Sequence, residues 1–387
     1  MAAHDATIPV AMGFVPGSVA VPDTERPGLL RAGPRAAAPY SRENVERHIC
    51  PATDTSRDGA TVPDLVEFGF DTLDLSPLGA LQEACHRVRE AGAVSEGNAA
   101  TIRSSLQDAT LHCAGGQTVT VLFLAEEGFI MRKAGPNGMA VVGPRSKGMN
   151  DHGAATSVHA DQDVFGTPLT QLMDGRAPSL FRHDSPDGTN RDAKLVLVNL
   201  WIPLQQVTQP LALADGRSID RPRHQLRYGL ATESFLDREE DMAVNDIWTF
   251  LHHPAQRWYI RSEMDHRCAY VFNTLATAHG ACTLPGEDVA ERCYLTLEAA
   301  ETAIEAGDAT ALVEAISSSR HPEVPSEAPP ALRAAIDTMV AVADEAHVDT
   351  AGTCGDGADT WLARSREARG RVVRMSLEMR MVVSIDG

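Results

Sequence analysis

The chain has 387 residues, 43% of them apolar, and a formal net charge of -19 at pH 7. That length buries a large core, as one elaborated domain or as two. That charge excludes nucleic acid and anionic membrane surfaces, whose phosphates repel it, and favours a small molecule as partner. The seven cysteines (Cys50, Cys85, Cys113, Cys268, Cys282, Cys293, Cys354) are odd in number and contain no CxxC pair, so they make neither a disulfide framework nor a zinc ribbon. The first residues lack the basic region of a signal peptide, and no run approaches the roughly 18 apolar residues of a spanning helix. A cytoplasmic location is expected.

Residues 1–60, rich in Pro, Ala and Arg, read as an irregular N-terminal arm. From Pro77, apolar residues at Leu78, Leu81, Ala84 and Val88 predict an amphipathic helix with Ser76 as N-cap, and a second helix covers about 97–110. The texture then turns to short β-branched and aromatic runs broken by Pro and Gly: GQTVTVLFL, the segment Ser157 to Phe165, residues 194–204, 210–220, 256–264 and 268–281. Such a series predicts a mainly β fold, a sandwich or barrel with flanking helices, over residues 61–282. Residues 283–366 return to Ala/Glu-rich helical spacing, and residues 367–387 end in an alternating strand, GRVVRMSLEMRMVVSI. A strand arriving that late must still join a sheet, so the helical stretch reads as an insertion before the last core strand, serving as a lid or as a homodimer interface.

The chemistry-bearing stretch is SVHADQDVF. His159 and Asp161 lie two residues apart, and alternate residues of a strand share a face, so an imidazole and a carboxylate can converge on one metal ion. Asp163 would share that face, as a supporting or solvent-facing residue rather than a ligand. A 2-His-1-carboxylate triad leaves positions open on Fe(II) for a 2-oxo acid and dioxygen. His279, at the end of the strand-like run from Ala269 to Thr277, is the best third ligand; His252, His253 and His266 are its rivals. H-x-D alone recurs by chance and is commonly a surface pair. The last strand sets this instance apart, because Arg374 and Ser376 place a guanidinium fork and a hydroxyl on one face, suited to the distal carboxylate of 2-oxoglutarate. The plain alternative for that pair is the solvated face of an edge strand.

Taken in order, VHAD, NLWIPL, PLALADGRSID, HPAQRWYIRSEM, the His279 segment and RMSLEMR resemble the Fe(II)/2-oxoglutarate oxygenases of the cephamycin 7α-hydroxylase-like group, over roughly residues 115–282 and 370–384. The resemblance implies a double-stranded β-helix (jelly-roll), iron held by His159, Asp161 and His279, and 2-oxoglutarate held by Arg374 and Ser376. It makes Arg380 a supporting residue, Trp201 and the Asp215 to Ser218 turn scaffold or site lining, and puts Arg257 and Tyr259 on one face of their strand with Trp258 on the other. Two features depart from the group. The Arg usually follows the distal His by ten to twenty residues, a spacing that Arg292 would satisfy from a helical stretch, and Asn273-Thr274 replaces a common Asp-Ser pair. The implied activity is oxidation of a small molecule, natural-product or amino-acid-like, by O2, with 2-oxoglutarate converted to succinate and CO2. Hydroxylation is the default, desaturation or cyclisation the variants, and the retained Asp161 argues against halogenation. Arg257, Arg261, Arg371, Arg374 and Arg380 together would favour a carboxylate-bearing substrate. The competing class is a non-catalytic jelly-roll or cupin-like protein that binds a small molecule.

Overall fold

The structure, a computed structural model, describes residues 7–33, 45–57, 59–125, 128–143, 148–150, 152–166, 169–231, 244–317 and 323–386. Parts of the predicted arm (1–6, 34–44) and the end of one predicted insertion helix (318–322) lie outside them.

Eight strands make the core: β1 (Ile130–Ala134), β2 (His159–Ala160), β3 (Leu195–Gln205), β4 (Leu211–Ala214), β5 (Trp258–Ile260), β6 (Cys268–Asn273), β7 (His279–Ala281) and β8 (Arg374–Asp386). In one sheet β6 pairs β3, β3 pairs β8, and β8 pairs β1; in the other the order is β5, β4, β7, β2. The chain therefore passes from sheet to sheet as it proceeds, which is the jelly-roll arrangement. β3 is buried on both faces, and this explains its nearly unbroken apolar run. Val196, Val198, Leu200, Ile202 and Leu204 point outward into a cluster with Leu81, Ala84, Cys85, Val88, Ile102 and Leu106 of two helices, α1 (Gly79–Ala91) and α2 (Glu96–Leu106). Asn199 and Trp201 point inward.

α1 starts at Gly79, and Ser76 is not its cap, because the Ser76 hydroxyl donates to Asp74 instead at 2.6 Å. α1 ends at Gly92, whose φ of 64° is the left-handed C-cap conformation that glycine adopts without strain. α2 carries a true cap, Ser95, which accepts from Asn98 N.

Among its described residues the N-terminal arm is not irregular. Thr7–Phe14 pairs antiparallel with Glu46–Asp54 over eight residue pairs, and Glu46–Asp54 runs parallel to β5, so these two strands extend the second sheet at its β5 edge, while Val244–Phe250, Gln225–Ala231, Leu30–Ala32 and Ala20–Pro22 follow at its β2 edge and bring it to ten. Pro9 and Pro51 face each other in that ladder. The strand signal was present in the alternation Ile8, Val10, Met12, Phe14, all buried, but the prolines masked it.

Helices α3 (Glu287–Glu305), α4 (Ala309–Ser317), α5 (Pro330–Val348) and α6 (Ala358–Arg371) lie between β7 and β8. Helix thus continues to Arg371, five residues beyond the expected boundary at 366. Their inward residues, Val289, Leu297, Leu332, Met339 and Trp361 among them, belong to one contiguous apolar cluster with Val10, Ala52, Ala212, Trp248 and Trp258 of the ten-stranded sheet. β8 then runs centrally, paired with β3 on one side and with β1 and Thr118–Leu124 on the other. No helix among the described residues is long and apolar enough to cross a membrane.

Candidate active site

β2 is only two residues long, so the reading of Ser157 to Phe165 as one strand is corrected: the chain bends away after Ala160. His159 lies on β2 and Asp161 in the bend. β7 is a separate strand from β6, reached by a crossing from one sheet to the other, and His279 opens it. His279 is the register partner of His159. This cross-strand pairing brings the two imidazoles to a ring separation of 4.4 Å.

His159, Asp161 and His279 present ligand atoms that all lie within 4.8 Å of one another. Asp161 Oδ1 is 3.3 Å from His159 Nε2 and 3.9 Å from His279 Nε2. Each imidazole is fixed by its own strand, since His159 Nδ1 bonds the Ser157 carbonyl at 2.9 Å and His279 Nδ1 the Thr277 carbonyl at 3.0 Å. A carbonyl only accepts, so both Nδ1 atoms carry the proton and both Nε2 atoms offer a lone pair. Burial, with the neighbouring His159, pushes His279 down to about 4, which keeps it neutral. Burial works against the Asp161 charge, yet the close His159 and His279 imidazoles and the charge of Arg380 hold its carboxyl well below the usual carboxylate range. The donor set, two neutral imidazoles and one carboxylate with room on one side, suits a divalent transition metal.

Asn199 of β3 donates from Nδ2 to Asp161 Oδ2, and Thr274 Oγ1 donates to Asn199 Oδ1 at 2.8 Å. With Oδ2 engaged, Oδ1 is the atom left facing the histidines. Neither Asn199 nor Thr274 was singled out from sequence for this role. The signal was there for Asn199, a lone polar residue inside the apolar run KLVLVNLWIPL. Asn273, by contrast, turns its amide to the Arg182 carbonyl and its Oδ1 to Leu275 N.

The same cavity is lined by His159, Asp161, His279, Arg374, Glu378 and Arg132, with Leu211 and Ala155 completing the wall. Its volume is about 20 Å³, enough for a water or an ion. Arg374 is 2% exposed and Ser376 fully buried. Arg374 donates from Nη1 to Gln209 O at a long 3.3 Å, stands 5.8 Å from the Trp201 ring, and leaves Nε and Nη2 without a hydrogen-bond partner; Ser376 Oγ also has none. Burial lowers the Arg374 pKa to about 10, so it remains a cation at neutral pH. Arg132, the register partner of Ser376, was not anticipated; its Nε donates to both oxygens of Glu378 at 2.8 Å. Of the two cavity guanidinia, the half-buried Arg132 is therefore charge-paired and the buried Arg374 is not.

The remaining expectations sort by geometry. Arg292 lies exposed on α3, paired with Asp288 at 3.0 Å, and does not line the cavity. His252 stacks on His48 at 3.9 Å and His253 on His224 at 4.6 Å, so these two rivals are engaged elsewhere, and His266 is likewise outside the cavity. Asp163 is neither a ligand nor solvent-facing: it is fully buried and ion-paired with Arg26. Arg257 does not face the cavity but joins Arg217 on Asp215, making the Asp215 to Ser218 turn scaffold. Tyr259 packs inward with Phe68 and Phe70, and Trp258 outward. Arg261 bonds the Glu263 carbonyl and Arg371 pairs with Glu367, so the expected five-arginine cluster does not form.

A family model described as an oxidoreductase/YMDC permease-like domain matches residues 130–285, the span from β1 through β7. Among solved structures the chain is similar to the iron and alpha-ketoglutarate-dependent endoperoxidase NvfI, at 16% identity over 98% of both chains with a TM-score of 0.44, and equally to that protein in a different conformation. A single-residue variant of it matches at 16% identity over 99% of both chains with a TM-score of 0.45. No curated protein matches.

Proposed function

We propose that the protein is a non-haem Fe(II)- and 2-oxoglutarate-dependent oxygenase that oxidises a small molecule. The observation that carries this reading is the unpaired, buried Arg374 cation sharing one cavity with the His159, Asp161 and His279 donor set. A buried guanidinium with no carboxylate in contact is costly, and an anionic ligand bonded to it relieves that cost. Its two free nitrogens and the Ser376 hydroxyl supply donors for one carboxylate, while a 2-oxo acid presents its other end to the metal.

His159, Asp161 and His279 would hold Fe(II), which would supply activation of dioxygen, the overall reaction being substrate plus 2-oxoglutarate plus O2 to hydroxylated substrate plus succinate plus CO2. The side chains supply the rest. The Ser157 and Thr277 carbonyls hold the imidazoles in the Nδ1-protonated form. Asn199 keeps Asp161 aimed with one oxygen. Phe272, 4.5 Å from the His279 ring, and Trp201 keep water from that flank. A cavity of about 20 Å³ does not hold a five-carbon diacid, so lining side chains move when it binds. Hydroxylation is the default outcome, with desaturation and cyclisation as variants on the same residues. A natural-product or amino-acid-like substrate is the favoured class.

Anaerobic addition of Fe(II) and 2-oxoglutarate should produce the weak visible charge-transfer band of the chelate, and His159→Ala should abolish it. Arg374→Ala should keep the metal but weaken 2-oxoglutarate binding by at least tenfold. If no band forms in the wild type, the protein is a metal-binding β-fold of the non-catalytic kind.

A further inference from the structure

Glu287, in the first turn of α3, is a fully buried carboxylate with no arginine or lysine bonded to it among the described residues. Its two oxygens accept four hydrogen bonds from three separate segments: Leu284 N at 2.9 Å, Gln209 N at 2.8 Å, Gln209 Nε2 at 2.7 Å and Asn137 N at 2.7 Å. Burial pushes its pKa up, and the four donors oppose that shift.

Two of those bonds go to Gln209, and Gln209 is the residue whose carbonyl accepts from Arg374. Gln209 sits at φ 50°, a strained conformation for a residue with a side chain, held here by both of its nitrogens. The same turn grips the start of β8: Gln205 Nε2 donates to Gly370 O and Val373 O, and Thr208 Oγ1 to Val372 O at 2.7 Å. After Glu378, Glu287 is the next carboxyl that favours the Arg374 cation across the interior.

We propose that Glu287 is a positioning residue for the 2-oxo acid site: through Gln209 it holds Arg374 in place, so that the helical insertion sets the affinity for the distal carboxylate. This rests on the reading of Arg374 as the carboxylate anchor. It gives the insertion a role at its root, where α3 meets the core.

The test is calorimetric titration of Mn(II)-loaded full-length protein with two probes: 2-oxoglutarate, which reaches Arg374, and oxalate, which chelates the metal but is too short to do so. Glu287→Gln keeps the shape of the side chain but turns an amide donor toward at least one existing donor. It should weaken 2-oxoglutarate binding roughly tenfold, the loss of one charge-assisted bond, with oxalate and Mn(II) affinities unchanged. Gln209→Gly, which accepts the positive φ while deleting the side-chain bond, should show the same selectivity to a smaller extent, and it decides the matter if Glu287→Gln does not fold. Equal 2-oxoglutarate affinity in wild type and variants overturns the proposal, as does a parallel loss for both probes, which would mark a general structural effect. If wild type binds oxalate but gains nothing from the distal carboxylate of 2-oxoglutarate, the anchor reading itself fails and this inference with it.

Discussion

At the scale of single residues the site is a set of short polar contacts, each of which removes one freedom from a ligand. Thr274 fixes the amide of Asn199, and that amide engages one oxygen of Asp161. Partners of this kind typically contribute 10- to 100-fold to metal affinity. Thr274→Val, which keeps the volume and removes the hydroxyl, should therefore weaken Fe(II) or Mn(II) binding by about tenfold in a chelator-competition titration. Asn199→Asp, which sets a second carboxylate against Asp161, should raise the Asp161 pKa and weaken the metal further at pH 6 than at pH 8. Wild-type affinity in both variants would mean that the bend after β2 positions Asp161 unaided. The candidate ligands themselves were legible, because His, Asp and Arg carry chemistry that their residue type announces. Asn199, Thr274 and Arg132 were not, since their roles depend on what lies opposite, and nothing local distinguishes an amide that aims a ligand from one that closes a turn.

Elements fix which of these residues meet. The segment Asp23 to Arg31 is tied to the ten-stranded sheet by Arg227, which is 7% exposed at its side chain and bonds Asp23, Glu25 and Asp246. Asp23 is fully buried at its side chain, and its Arg227 bond holds the carboxyl well below the usual carboxylate range. Arg227→Met leaves that carboxylate without its partner and should cost about 3 kcal/mol of stability, read by urea denaturation. The double variant Arg227→Met, Asp23→Asn should recover part of the loss, because the stranded charge is gone. Among elements, α1, α2 and β8 were legible from their period and β3 from its apolar run, whereas Thr7–Phe14 was hidden by Pro9 and β2 was overestimated. A strand two residues long has no period to read.

Over the whole molecule, the apolar cluster that runs from the ten-stranded sheet into the helices makes the insertion part of the main core. Unfolding by urea should therefore give coincident transitions by far-ultraviolet circular dichroism, dominated by α3 to α6, and by tryptophan fluorescence, to which Trp201, Trp248 and Trp258 of the sheets contribute. Separate midpoints would show that the helices fold independently. Acid should destabilise the protein in a defined window. His183, His224, His252 and His266 all have pKa values lowered from 6.5, burial being the first cause in each; stacked neighbours add to it at His224 and His252. The unfolded chain takes up these protons first, so their contribution is complete above about pH 6.5 and is lost as the pH falls from there through the folded values. Asp71, which burial raises to about 6, acts with the opposite sign, gaining stability as the pH falls through 6. The melting temperature should thus drop between pH 7.5 and 5.5, and Asp71→Asn should steepen the drop; a flat profile would contradict the histidine assignment.

What the sequence by itself determined is the inventory: a β-rich chain with flanking helices, a late strand carrying Arg374 and Ser376, and a His-x-Asp pair awaiting a third ligand. These follow from side-chain chemistry and from periods of 2 and 3.6, which are local properties. Only the tertiary structure decided which histidine completes the set, because His279 reaches His159 by the chain crossing between sheets and a single register pair. It also decided that Arg132 is neutralised by Glu378 while Arg374 is left as a buried cation with free donors. Charge compensation is a property of neighbours in space, and residues 132, 374 and 378 become neighbours only once β8 inserts between β1 and β3.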